Sequence, residues 1–320
     1  MDTYLWIMLA GTVLIFFLYG LYCTGSGHAP ELRKKAWLTA LLSLVFASVF
    51  GVILARLSYA LLMQELDFEY DGIEALEQLL WFDIDCVSFF GGAVGVVLGV
   101  RLACRLTVRN QTGAAMDAFA PFGALLVALF RAGEIAFGSY GAGNILPEGS
   151  PLAFFPFALR IEVDGGYSYW GWAICVLSAV FALVWAVIAF LRRQDRKCPG
   201  FLFELTLFFL ALPQVLCESL RKRGMFWLFV HTEQLLCVVL ILALMIFWIL
   251  RSGKELPAVR RWLPLGISLL CVGALVATEF AIDGKIFDFS HGVCYAFMIL
   301  VLIVMGICGC IAAKRRKLRS

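Results

Sequence analysis

Long apolar runs separated by short polar breaks dominate the chain. Crossing a bilayer takes about 20 predominantly apolar residues. Nine runs meet that length, near 4–23, 37–64, 86–105, 114–133, 169–191, 200–219, 234–250, 262–281 and 292–313. Inside hydrocarbon a backbone must satisfy its own hydrogen bonds, so each run predicts a helix. The fold class expected is an all-α polytopic membrane protein of about nine transmembrane helices.

Composition sharpens this. Hydrophobic residues make up 62% of the 320 and charged residues only 15%, with mean hydropathy +0.91. A soluble domain carries roughly 25% charged residues. The start, "MDTYLWIMLAGTVLIFFLYGLYC", lacks a basic leader and a small-residue cleavage site, and Arg33, Lys34 and Lys35 follow it. It reads as a first span and not as a removed signal peptide. Most of the 11 cysteines, such as Cys104, Cys175, Cys217 and Cys237, lie within apolar runs, and none forms a paired CxxC motif. They predict core-filling residues and no metal site. No nucleotide loop or GxSxG-type nucleophile is present, so no cofactor and no nucleic-acid partner is expected.

The charges are sorted by side. Alternate linkers and the tail "KRRKLRS" together hold 19 of the 26 Lys and Arg. The opposite linkers contain the acidic stretch "ELDFEYDGIEALEQLLWFDID" and the long segment 138–168. Under the positive-inside rule the N-terminus lies outside and the C-terminus in the cytoplasm. The Asn110-Gln111-Thr112 sequon then falls on the cytoplasmic side, away from glycosylation. Ile73, Leu76, Leu79 and Leu80 recur at helical spacing, so part of segment 65–85 is expected along the interface.

On this topology the polar residues inside spans converge at one depth. Arg56 and Tyr59 end the second span, and Arg131 and Glu134 end the fourth. Gln214, Glu218 and Arg221 close the sixth at helical i, i+4, i+7 spacing, on one face. "FFGG", with Gly91 and Gly92, opens the third, and "HTEQ", with His231 and Gln234, opens the seventh. Asp117 and Glu204 lie about 21 Å deeper, fourteen residues before Arg131 and Glu218 at 1.5 Å per residue. Asp117 reads as a helix-start residue with Pro121 in the first turn. Gly91-Gly92 also suits a close helix contact, and His231 and His291 an interfacial position. Ionisable groups inside a membrane nevertheless default to function. Arginines at headgroup depth suit a phosphate, whose oxygens match guanidinium forks, while nearby carboxylates can orient them or accept a proton. The residues alone therefore predict a pocket for an anionic lipid headgroup in the outer leaflet.

Five segments resemble the motifs of the prolipoprotein diacylglyceryl transferases. "ARLSYALL" is similar to their G-x-R-x-x-Y span end, and "VSFFGGAVGVVLG" to their SFHGG segment. "MDAFAPFGALLVALFRAGE" resembles the D-x-x-AP…GRxGN helix, with the Asp-to-Arg spacing kept. "PGFLFELTLFFLALPQVLCESLRKR" resembles G-x-LF…FR-x-x-x-E-x-x-R, and "HTEQLL" resembles SMGQIL. The order is conserved over about residues 50–245. The resemblance implies transfer of diacylglyceryl from phosphatidylglycerol to a lipoprotein precursor's cysteine thiol in the bacterial inner membrane. Arg131 would face the phosphate, with Arg56, Tyr59, Gly91, Gly92, Glu218 and Gln234 lining the same site. Departures from the motifs include Phe90 for the histidine, Glu134 for the asparagine, Ser139 for a glutamate and Gln214 for the sixth-span arginine.

The reading is thus of residues 1–250 as a transferase-like core with external segments 65–85 and 138–168, followed by two added spans and a basic tail in 251–320. Arg131, Glu134 and Glu218 are the catalytic candidates. Arg56, Tyr59, Gly91, Gly92, Gln214, Arg221 and Gln234 are the headgroup-binding candidates. The alternatives are a non-catalytic lipid-binding or scaffolding relative and, third, a transporter.

Overall fold

A computed structural model describes residues 2–62, 87–163, 167–192, 198–222, 226–227, 230–252, 257–282 and 290–317. The acidic segment expected along the interface, 65–85, lies outside the described residues. Nine helices among the described residues are long and apolar enough to cross a membrane. They are α1 (Asp2–Cys23), α3 (Ala36–Leu62), α4 (Phe89–Thr107), α5 (Thr112–Gly133), α6 (Ile174–Leu191), α7 (Phe201–Leu220), α8 (Thr232–Arg251), α9 (Ala258–Ile282) and α10 (His291–Lys317). A five-residue helix α2 (Pro30–Lys34) starts at a proline, whose missing N–H costs nothing at a helix start.

The fifth span begins later than its apolar run suggests. Residues from 169 belong to a hairpin of β1 (Ala158–Val163) and β2 (Tyr167–Trp172), pairing Arg160 with Trp170, and helix follows from Ile174. Tyr and Trp at 167, 169, 170 and 172 are strand formers as well as apolar, which hides the boundary. A second small pairing joins β3 (Phe226–Trp227) to β4 (Val230–His231).

Helix α5 is the central wall. One face contributes Phe119, Phe122 and Leu126 to a core with Phe16 and Tyr19 of α1. Its other face contributes Ala120 and Ala124 to a core built on Phe208, Met245, Trp248 and Met298. α3 and α4 run antiparallel along Gly91, Gly95 and Gly99, one small residue per turn. At Gly99 a Cβ would sit 2.5 Å from the Ala47 amide nitrogen, closer than any side chain tolerates. Small residues matter here because lipid supplies no hydrophobic drive, leaving packing to hold helices together.

Asp117 corrects an expectation. It lies within α5, with Pro121 mid-helix and not in the first turn, and it caps a neighbouring helix. Its carboxylate accepts from Gly200 N at 2.7 Å and Phe203 N at 2.9 Å, donors that α7's first turn leaves without intrahelical partners. Nearby, Glu204 accepts from Trp248 Nε1 at 2.8 Å and pairs with Arg316 of α10. These contacts mark one end of the bundle.

Candidate functional site

The opposite end holds a buried ion cluster assembled from three spans. Arg131, in the last turn of α5, is only 1% exposed. Its Nη1 donates to Glu134 Oε1 at 2.5 Å, and its Nη2 to Glu218 Oε1 at 3.2 Å. Glu233 Oε2 lies 3.5 Å from the same Nη2. The Phe89 ring lies under the guanidinium, its centroid 3.6 Å from the central carbon, a cation–π contact.

Arg221 follows α7 and completes the cluster. It donates from Nη2 to Glu134 Oε2 at 2.5 Å and from Nη1 to the Tyr140 carbonyl at 3.1 Å, while Nε sits 3.1 Å from Glu218 Oε1. Glu134 therefore bridges the two guanidiniums with one oxygen each, and Glu218 lies between them. Gln214 Nε2 also donates to Glu218. Burial alone would push the Arg221 guanidinium's pKa down, but Glu218 and Glu134 outweigh it and hold the group above its ordinary value.

Local sequence explains half of this. Residues three or four apart share a helix face, so Arg131 with Glu134, and Gln214 with Glu218 and Arg221, are preset by helix pitch. The chain then leaves α5 through a 3₁₀ stretch (Glu134–Tyr140), where Gly138 takes a positive φ of 50° that most side chains avoid. That turn holds the Tyr140 carbonyl within reach of Arg221.

Glu233 was not among the sequence candidates. It sits in the first turn of α8, where a carboxylate is unremarkable because it complements the helix dipole. Its Oε1 instead accepts from Ser88 Oγ at 3.1 Å and from Phe90 N at 3.2 Å, at the start of α4. Ser88 caps α4 by accepting from Gly91 N at 3.1 Å, and its own N–H donates to the Ala55 carbonyl of α3.

The other sequence candidates distribute around this core. Arg56 is buried in α3, its guanidinium 5.7 Å from the Tyr59 ring centroid. Gly91 lies against Leu54 and Ser58, and Gly92 faces Ala55, so both serve the α3–α4 seam. Gln234 turns toward α9 and donates from Nε2 to Glu279 at 2.6 Å. On the side of the bundle Gln214 also lines a shallow recess with Val127, Ser178, Phe181 and Cys217. Among the described residues no group of three or more His, Cys, Asp or Glu could hold a metal ion.

The model of the prolipoprotein diacylglyceryl transferase family matches residues 2–250. The chain belongs to that family. The match spans α1 to α8 and stops before the two last spanning helices, α9 and α10. No curated protein matches the chain. Membership makes the chain a transferase-like, multi-pass membrane protein of lipoprotein biosynthesis, with a phospholipid and a lipoprotein as the family's partners. Arg131, Glu134, Glu218, Arg221 and Glu233 all fall within the matched residues.

Proposed function

We propose that the protein transfers a diacylglyceryl group from phosphatidylglycerol to the cysteine thiol of a lipoprotein precursor, at the outer face of a bacterial inner membrane. The carrying observation is Arg131, fully buried within a membrane helix yet in ionic contact with three carboxylates. A charge at the bilayer centre costs at least ~2.5–3.5 kcal/mol, and an ionisable group kept buried inside a spanning helix defaults to function.

In this reading Arg131 and Arg221, with Arg56 nearby in sequence depth, hold the donor phosphate through charge-assisted bonds. Glu134 and Glu218 keep the two guanidiniums aimed before the lipid arrives, which limits reorganisation in the transition state. Segment 138–168 gates the acceptor. The outside N-terminus rests on the charge sorting of the linkers. Cysteines placed at positions 2 and 320 test it, with labelling expected from outside at position 2 and from inside at position 320.

The decisive experiment is mass spectrometry of the purified protein and of a thiol peptide incubated with it in phosphatidylglycerol vesicles. Co-purified phosphatidylglycerol and a diacylglyceryl adduct on the peptide support the proposal. One observation favours a second reading, a non-catalytic lipid-binding relative: Glu134 and Glu218 already occupy both guanidiniums, so a phosphate must displace them. Bound lipid without any adduct would select that reading.

A further inference from the structure

Taking the transferase reading as premise, we propose that the Glu233 carboxylate accepts the thiol proton, in the role of the histidine that the family motif carries at position 90. Two departures from the motifs meet in space here. Phe90 replaces the imidazole of SFHGG, and Glu233 stands where SMGQ has glycine. The Phe90 amide donates to Glu233 Oε1 at 3.2 Å, so α8 delivers a carboxylate to the turn where the motif carries an imidazole. A glycine there would leave that turn without any proton acceptor from α8.

The cluster's charge count makes Glu233 the available carboxylate. Glu134 and Glu218 each contact both Arg131 and Arg221. Among the described residues Glu233 makes one ion pair, to Arg131 at 3.5 Å, longer than a hydrogen bond. Among the described residues three carboxylates thus pair with two guanidiniums, and the one beside Phe90 has the fewest ion pairs. Among the described residues the titratable and charged groups that face it are Arg131 from α5, Glu218 and Arg221 from α7 and Cys237 one turn along α8, while Ser88 before α4 donates to it. Its side chain is 11% exposed where that of Arg131 is 1%.

The step balances as a displacement. The thiol proton passes to Glu233, and the sulfur electron pair attacks the glyceryl carbon bearing the phosphate ester. The C–S bond forms as that C–O bond breaks, and the electron pair leaves on glycerol phosphate, stabilised by Arg131 and Arg221. Glu233 then returns its proton to the departing phosphate or to water.

The test uses the full chain in phosphatidylglycerol vesicles with a single-cysteine precursor peptide. Glu233→Gln should lower the rate at saturating lipid by ~10²–10⁴-fold, the usual worth of a general base, with lipid KM little changed. Glu233→Asp should retain more activity than Glu233→Gln. The exchange Phe90→His with Glu233→Gly should outpace Glu233→Gly alone, and its rate profile should inflect near the imidazole range, about pH 6.5. Thermal unfolding confirms that each variant is folded, since Glu233 also accepts from the start of α4. A wild-type rate in folded Glu233→Gln, a loss produced by His231→Gln in its place, or no gain from the exchange would overturn the assignment. If Glu233→Gln stays active while Arg131→Ala is dead, the assignment fails and the transferase reading stands. If the unmodified chain forms no adduct, both fall.

Discussion

The same helices carry carboxylates at both ends of the bundle, and the two ends use them in opposite ways. At one end Asp117 accepts from two backbone amides of α7, and Glu204 accepts from an indole and pairs with Arg316. Each carboxylate there has hydrogen-bond donors of its own, and together they fix α7, α8 and α10. At the other end Glu134, Glu218 and Glu233 share two guanidiniums among the described residues, so the pairing there is not one-to-one. A one-to-one cap lowers energy and stops there. A cluster with more acceptors than cations keeps a group in reserve for a proton or a ligand, at a standing cost in desolvation.

The contrast is most easily broken at Arg131. Arg131→Ala leaves three buried carboxylates around one guanidinium, and removing one partner of a buried pair costs about 3–5 kcal/mol. Unfolding of the detergent-purified variant should shift accordingly, and adduct formation should vanish. A folded, fully active Arg131→Ala would place the chemistry elsewhere. Gln214→Arg sharpens the comparison from the other direction. It supplies a third cation where Gln214 now donates to Glu218, and a charge-assisted bond is worth about 1.5–3 kcal/mol. Felt only in the transition state, that is roughly a tenfold to hundredfold faster transfer.

Asp117→Ala probes the opposite end. Losing a cap costs about 0.5–2 kcal/mol, so thermal stability should fall while transfer per folded molecule stays unchanged. A rate defect there would erase the distinction between the two ends. The smallest effect is expected at Glu279, which lies beyond the family match and accepts from Gln234 beside Glu233. Glu279→Ala should cost about 1 kcal/mol of stability and slow transfer only a few-fold, read from the same adduct assay.

Several features of this protein are legible in its residues alone. The nine spans emerged with boundaries within a few residues except where aromatic β2 merged with α6. The pairings Arg131–Glu134 and Glu218–Arg221 followed from three-residue spacing, and the family motifs pointed to the same depth. The expectation that Asp117 starts its own helix failed, because its partners Gly200 and Phe203 are more than eighty residues away in sequence. Glu233 stayed hidden for a related reason, since a carboxylate in a first helical turn looks alike whether it serves the dipole or a catalytic cluster.

Sequence by itself determined which segments are helical, how long they are, and which polar residues share a face, because pitch and backbone hydrogen bonding are local properties. Only the tertiary structure decided which faces meet. In a soluble helix the apolar stripe announces the buried side, whereas in lipid both the lipid-facing and the packed sides are apolar. The rotation of α8 is therefore unmarked by its hydrophobic pattern, and that rotation alone brings Glu233 to Arg131 and Phe90 and turns Gln234 toward α9.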